Sequence, residues 1–261
     1  RSLADEVAAG IGVIGSRAST SYGEHVTGQI VGGLVDAGWT VISGGAFGID
    51  GTAHRAALGC GGSTVAVMAC GIDVDYPSSH SSLFNAIARD GLIVTEYPPG
   101  TTAARHRFLT RNRLVAALST AVVVVEAGAR SGAANTAAWA RKLGRPLGAV
   151  PGPITSSMSL GCNRMIADEQ AALVVDAQAL ISLAAPDGQG GPNRGPVRRI
   201  DELTGDRQRV YEAIPGRGAI TVDEIALNAA LDVGRVMAAL ALLEVDRFVA
   251  AVGDGWSIVR D

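Results

Sequence analysis

Lysine is all but missing from this chain. Lys142 is the single one, so nearly all positive charge rests on arginine. No Walker-type phosphate loop can therefore be written, because its lysine is lacking. Aromatic residues make up only 4%, which leaves Val, Ile, Leu and Ala to build the core. The three cysteines, Cys60, Cys70 and Cys162, show no Cys-x-x-Cys spacing. That excludes a disulfide framework and suits reduced thiols in the cytoplasm. The four histidines, His25, His54, His80 and His106, lack metal-ligand spacing. No apolar run approaches the ~18 residues of a membrane span. The N-terminus has no signal-peptide layout, and no Gly-x-Ser-x-Gly elbow occurs. The expectation is a cytoplasmic protein with no metal, no cofactor, no catalytic residue and no membrane contact.

Glycine, by contrast, is plentiful. Its 34 residues cluster at the ends of apolar runs, as tight βα turns require. With 48% hydrophobic and 18% charged residues, the 261-residue chain can bury a large core. Six short, continuous apolar runs, at residues 12–15, 39–43, 63–68, 92–96, 121–126 and 146–150, alternate with helical stretches. This predicts an α/β fold over residues 1–183: a Rossmann-like, doubly wound, mainly parallel sheet. Ligands are expected at the carboxyl ends of its strands.

Residues 184–200 are rich in Gly and Pro and read as a linker. Residues 201–261 read as three helices and a hairpin, a small C-terminal winged-helix domain. Thr221-Val-Asp-Glu224 is a capping box opening the second of these helices. Charge separates the two regions. Residues 1–200 hold 16 Arg or Lys against 14 acids, and residues 201–261 hold six arginines against 11 acids. Net charge of this kind would repel duplex phosphates, and the third helix offers only Arg235. A protein contact suits that surface better than duplex DNA.

Four segments at strand ends are candidates for function. Gly15-Ser16-Arg17 follows the first strand, where glycine lets a phosphate approach backbone. It lacks the full Gly-x-Gly-x-x-Gly pattern, so NAD is not expected. Ser43-Gly44-Gly45-Ala46-Phe47 follows the second, and its run of amides could make an anion-binding concavity. Asp50 fits a helix cap, and His54 fits a hydrogen-bonded core position. The strongest signal is Arg105-His-Arg-Phe108-Leu-Thr-Arg111-Asn112-Arg113, four arginines in nine residues around one aromatic ring. Arginine neutralises phosphates, an aromatic face stacks an unpaired base, and Asn112 could read a base edge. The last segment, Glu126 to Ser131-Gly132, places Ser131 and Gly132 at a helix start. A simple serine cap accounts for Ser131 about equally well. Asp73 and Asp75 fit a turn before Pro77.

The order and spacing of these motifs resemble the DprA (Smf) family of DNA-processing proteins. The resemblance runs from Val13 to Leu173. It is carried by Gly15-Ser-Arg17, by Ser43 to Asp50 with His54, and by Gly71-Ile-Asp with Tyr76-Pro77. It continues through Glu96-Tyr-Pro-Pro99, Phe108 with Arg111-Asn-Arg113, Glu126 with Ser131-Gly132, Val150-Pro-Gly152 and Gly161-Cys-Asn163. It implies a single-stranded-DNA-binding recombination mediator that forms a homodimer. Such a protein protects incoming strands and loads RecA past single-strand-binding protein during natural transformation. Phe47 stands where the family usually has a basic residue. Two other readings compete. A nucleotide phosphoribohydrolase of similar fold would need an acid on the helix at residues 133–143, which has none. A winged-helix transcription regulator would need a charged recognition helix.

Overall fold

The computed structural model describes residues 3–129, 131–185, 203–216 and 218–259. The chain divides into two compact units, residues 1–193 and 194–261. The expected linker at 184–200 lies, from residue 186 onward, outside the described residues.

The first unit is built on a seven-stranded sheet with every neighbouring pair parallel. Its strands are β1 (Gly10–Ile14), β2 (Thr40–Ser43), β3 (Thr64–Val67), β4 (Leu92–Val94), β5 (Ala121–Val124), β6 (Leu147–Ala149) and β7 (Ala172–Leu173). Spatial order is β4-β3-β2-β1-β5-β6-β7. The chain winds outward from β1 to β4, then returns to lay β5 on the other side of β1. Direction reverses between β1 and β5, the place where this class of sheet opens a crevice at its carboxyl edge. The sequence anticipates six of these strands. It misses β7, which has only two residues, both exposed.

Alternation along the strands divides the core. Ile11, Val13, Val41 and Val123 face α2 (Ser21–Asp36), α3 (Ile49–Gly59) and α8 (Ala177–Ala184). Ile14, Ile42, Val122 and Val124 face α5 (Arg105–Leu118), α6 (Ala133–Lys142) and α7 (Leu160–Ala167). Two further α-helices, α1 (Leu3–Ala8) and α4 (Ser81–Asp90), and a short 3-10 turn (Ser78–His80) also lie in the described part of this unit. Helix α2 starts where the Thr20 hydroxyl accepts from the Gly23 amide.

The second unit is a winged helix. It comprises α9 (Gly205–Ala213), α10 (Val222–Ala229), α11 (Val233–Val245) and the antiparallel hairpin β8 (Val249–Val252) and β9 (Gly255–Ile258). Both halves of the Thr221–Glu224 capping box form. Val210, Ile225, Val236, Leu240, Leu243 and Val249 make its core.

His54 lies wholly buried on α3. The Thr64 hydroxyl donates its proton to the Val41 carbonyl at 2.9 Å, so it can only accept from His54 Nδ1, at 2.7 Å. Nε2 is then the bare nitrogen, and it has no partner among the described residues. Burial, with Arg111 adding to it, lowers the His54 pKa to about 3. The unfolded chain takes up a proton below the ordinary value of 6.5, and the folded chain does not until about 3. Stability is therefore fully present above 6.5 and is lost as pH falls through this window, by up to about 1.4 kcal/mol per pH unit. Urea midpoints measured between pH 7 and pH 4.5 should drop less steeply for His54→Gln than for the native chain.

Candidate nucleic-acid interface

Four loops and one helix converge at the carboxyl edge of the sheet. They enclose a crevice of about 890 Å³ across the β1–β5 reversal. Ten of the fourteen expected site residues line it: Gly15, Ser16 and Arg17 after β1; Gly44 after β2; Arg105, Phe108, Arg111 and Asn112 on α5; and Ser131 and Gly132 before α6. The other four, Ser43, Gly45, Phe47 and Arg113, are not among its lining residues.

Two buried groups of opposite charge, Arg111 and Asp50, organise the floor. Arg111 is only 3% exposed. Its Nη1 donates to the Gly44 carbonyl at 2.5 Å and to the Val67 carbonyl, tying together the ends of β2 and β3. Asp50, also buried at 8% exposure, accepts hydrogen bonds from the backbone of Ala46 and Gly44 and feels the Arg111 charge. Burial raises the Asp50 pKa, against the pull of Arg111 and the backbone donors. Burial also lowers the Arg111 pKa, while the Asp50 charge supports it. Gly44 is required here, because a Cβ would stand 2.4 Å from Arg111 Nη1. Gly48 has φ +72° and packs on the Ser16 carbonyl, where a Cβ would come within 2.2 Å.

This arrangement revises three expectations. Arg111 is spent on backbone carbonyls inside the protein and is not a free phosphate ligand. Asp50 lies in the first turn of α3 and reaches back to the loop; Gly48 holds the cap position, with no side-chain bond. The amides expected to cradle an anion after β2 already serve Asp50 in part. Ser43 is likewise internal, donating to the Val13 carbonyl at 2.7 Å. Gly45, at φ +68°, backs onto Phe84.

Glu126 closes the floor from the β5 side. It accepts from the Thr20 amide at 2.9 Å and the Thr20 hydroxyl at 2.5 Å, and so clamps the β1 loop across the reversal point. Ser131 accepts from the Ala133 amide at 3.2 Å, which uses one of the donors at the start of α6. Asn112 donates to Asn135 at 3.2 Å. Asp73 accepts from the Gly100 amide, 27 residues on, and so ties the loop after β3 to the loop after β4.

The rim is different. Arg17 and Arg105 are exposed, and neither forms an ion pair among the described residues. The Arg17 guanidinium lies 4.9 Å from the centre of the Phe108 ring, and Phe108 tilts against Tyr76 at 5.3 Å. A cation and two rings thus form one platform. Tyr76 is a lining residue that the sequence marks only as part of a motif; an exposed aromatic before Pro77, in the loop after β3, was the available signal. Phe47 is half exposed and packs edge-on against His80 at 5.0 Å, away from this platform. Arg113, on another face of α5, makes a two-oxygen contact with Glu96 at 2.7 Å.

Comparison with known proteins settles the family. The family model described as DNA recombination-mediator protein A matches residues 2–185, and that of the DprA winged helix domain matches residues 195–255. The chain belongs to the DprA family.

A putative DNA processing protein DprA of Mycobacterium tuberculosis is 52% identical over 258 residues, 98% of this chain and 66% of that relative. This chain thus spans about two thirds of that relative's length. Protein Smf of Escherichia coli is 33% identical over 96% of this chain and 68% of its own. Among solved structures, DprA from Streptococcus pneumoniae superposes with a TM-score of 0.64 at 36% identity, covering 68% of this chain and 62% of that one. DNA processing protein A from Helicobacter pylori, solved to describe its single-stranded DNA binding mode, gives 0.64 at 31% identity over 71% of this chain and 83% of that one.

Within this DprA-family chain, Arg111 and Arg113 should behave oppositely on substitution. Arg111→Ala leaves the Gly44 and Val67 carbonyls buried without their donor, a loss of about 1–3 kcal/mol for each. Arg113→Ala breaks an exposed pair, worth at most about 1 kcal/mol. Urea denaturation of the two variants should separate them clearly.

Proposed function

We propose that the chain binds single-stranded DNA across this crevice and acts as a recombination mediator without turnover. The observation that carries the proposal is the rim platform. Arg17 and Arg105 carry charge that no ion pair among the described residues neutralises, and Phe108 with Tyr76 offers ring surface beside them. A single strand needs that pairing: cations for phosphates, and flat apolar faces for unpaired bases. Duplex DNA hides its base faces and would gain nothing from the rings.

Membership in a recombination-mediator family and the binding described for the Helicobacter pylori relative support the same reading. In this view Gly15, Ser16, Ser131 and Gly132 contact the backbone near the reversal point, and Asn112 faces a base. The buried Arg111 sets the shape of the floor and supplies positive potential from below. The proposed setting is the cytoplasm, with a homodimer handing the strand to RecA in place of single-strand-binding protein. Asp50, the one carboxylate lining the crevice among the described residues, is engaged with backbone donors.

Oligo-dT titrations at several salt concentrations test this. Arg17→Ala with Arg105→Ala should weaken binding and reduce the salt slope by about one unit for each phosphate no longer neutralised. Phe108→Ala should cost about 1–3 kcal/mol with the slope unchanged. Unaltered affinity in both variants would refute the proposal. Release of free base from nucleoside monophosphates would replace it with a hydrolase.

A further inference from the structure

Charge divides the two faces of the large sheet. Helices α2, α3 and α8 hold three acids and one arginine. Helices α5, α6 and α7, on the other face, hold seven Arg or Lys and no acid. From Tyr97 to Ala167 the single acid is Glu126, buried at 1% exposure. Part of this positive charge is used inside or beside the crevice. Another part gathers at the far end of α6. There Arg141, Lys142 and Arg145 are all exposed, and none forms an ion pair among the described residues. The helix dipole favours a cation in the last turn of α6. It gives no reason for Arg145, which lies beyond the helix and donates to the Ala117 carbonyl at 3.0 Å, nor for the missing acids.

One side of α6 joins this patch to the crevice. At about 100° per residue, Asn135, Trp139 and Lys142 fall within roughly 60° of one another. Asn135 lines the crevice. Trp139, one turn on, is partly exposed, and the Lys142 ammonium lies 4.7 Å from its ring centre. Ala134 and Ala138, small and exposed, flank this row and leave it open. An amide, an indole and an ammonium thus lead outward in line. Lys142 on Trp139 repeats the contact of Arg17 on Phe108 at the crevice rim.

We infer that a single DNA strand longer than the crevice continues along the outer side of α6, where Trp139 meets a base and Arg141, Lys142 and Arg145 meet phosphates. The ten residues of α6 span about 15 Å. Phosphates of a stacked strand stand about 3.4 Å apart, so this track takes about four nucleotides. Cations follow the sugar–phosphate chain, and an indole face accepts any base, so the track holds DNA without reading its sequence. The inference rests on strand binding in the crevice as proposed above. It adds a second platform, outside the crevice lining, to which no role has been given.

Salt titrations of the intact chain with two lengths of oligo-dT test it. One, of about six nucleotides, is held by the crevice alone; the other, of about twenty, reaches past it. The native chain should bind the longer one with the steeper salt slope. Arg141→Ser with Lys142→Ser should lower that slope by about 1.4, at about 0.7 for each phosphate of a single strand, and leave the slope for the short oligomer unchanged. Trp139→Phe should remove most of the tryptophan quenching caused by the long oligomer. An equal fall in slope for both lengths would overturn the inference, because it would report the general field of the protein and not a track. An unchanged slope for the long oligomer, or quenching retained in Trp139→Phe, would overturn it too and leave the patch to an acidic protein partner. If the native chain bound neither length, strand binding itself would fail and the track with it. Native binding of both lengths with one common slope would refute the track alone.

Discussion

The crevice depends on two opposite charges buried at its floor, Arg111 and Asp50. Each group would be costly to desolvate alone; two carbonyls compensate the guanidinium in part, its Nε having no partner among the described residues, and backbone donors compensate the carboxylate. Arg111 binds the ends of β2 and β3 to α5, and Asp50 holds the loop between β2 and α3. What looks from the sequence like a ligand-binding turn is thereby an internal joint.

That joint divides labour among the arginines. A cluster of four in nine residues invites the reading that all face one ligand. Helix geometry disperses them. Arg111 turns inward, Arg113 meets Glu96, and Arg107 lies over Tyr97 at 5.6 Å. Arg105 remains at the mouth, joined by Arg17 from a different loop. The open positive charge at the rim is thus smaller than the motif implies, and better placed. It stands beside the aromatic rings and on both sides of the strand reversal.

Much of this was legible in sequence, for physical reasons. Continuous Val and Ile runs between glycines mark strands covered on both faces, and all six expected runs became strands. The Thr221–Glu224 capping box was readable because its bonds are local. The β7 strand was not, since two exposed residues carry no periodicity. Arg111 had a faint signal: it lies four residues before the buried Val115, on the same face of α5. Its partners are 44 to 67 residues away in the chain, and nothing local announces them. The Arg17–Phe108 contact was hidden for the same reason: its members meet only after the sheet has formed.

The floor of the crevice leaves almost no room for drift. At Gly44 and Gly48 any side chain collides with a guanidinium or a carbonyl oxygen, and Arg111 cannot change without orphaning two buried carbonyls. The rim has no such restraint. Phe47, Tyr76 and Leu109 all stand about half exposed, and each could be exchanged without disturbing a buried bond. Divergence among related sequences should therefore accumulate at the lip of the cleft while its foundation stays unchanged.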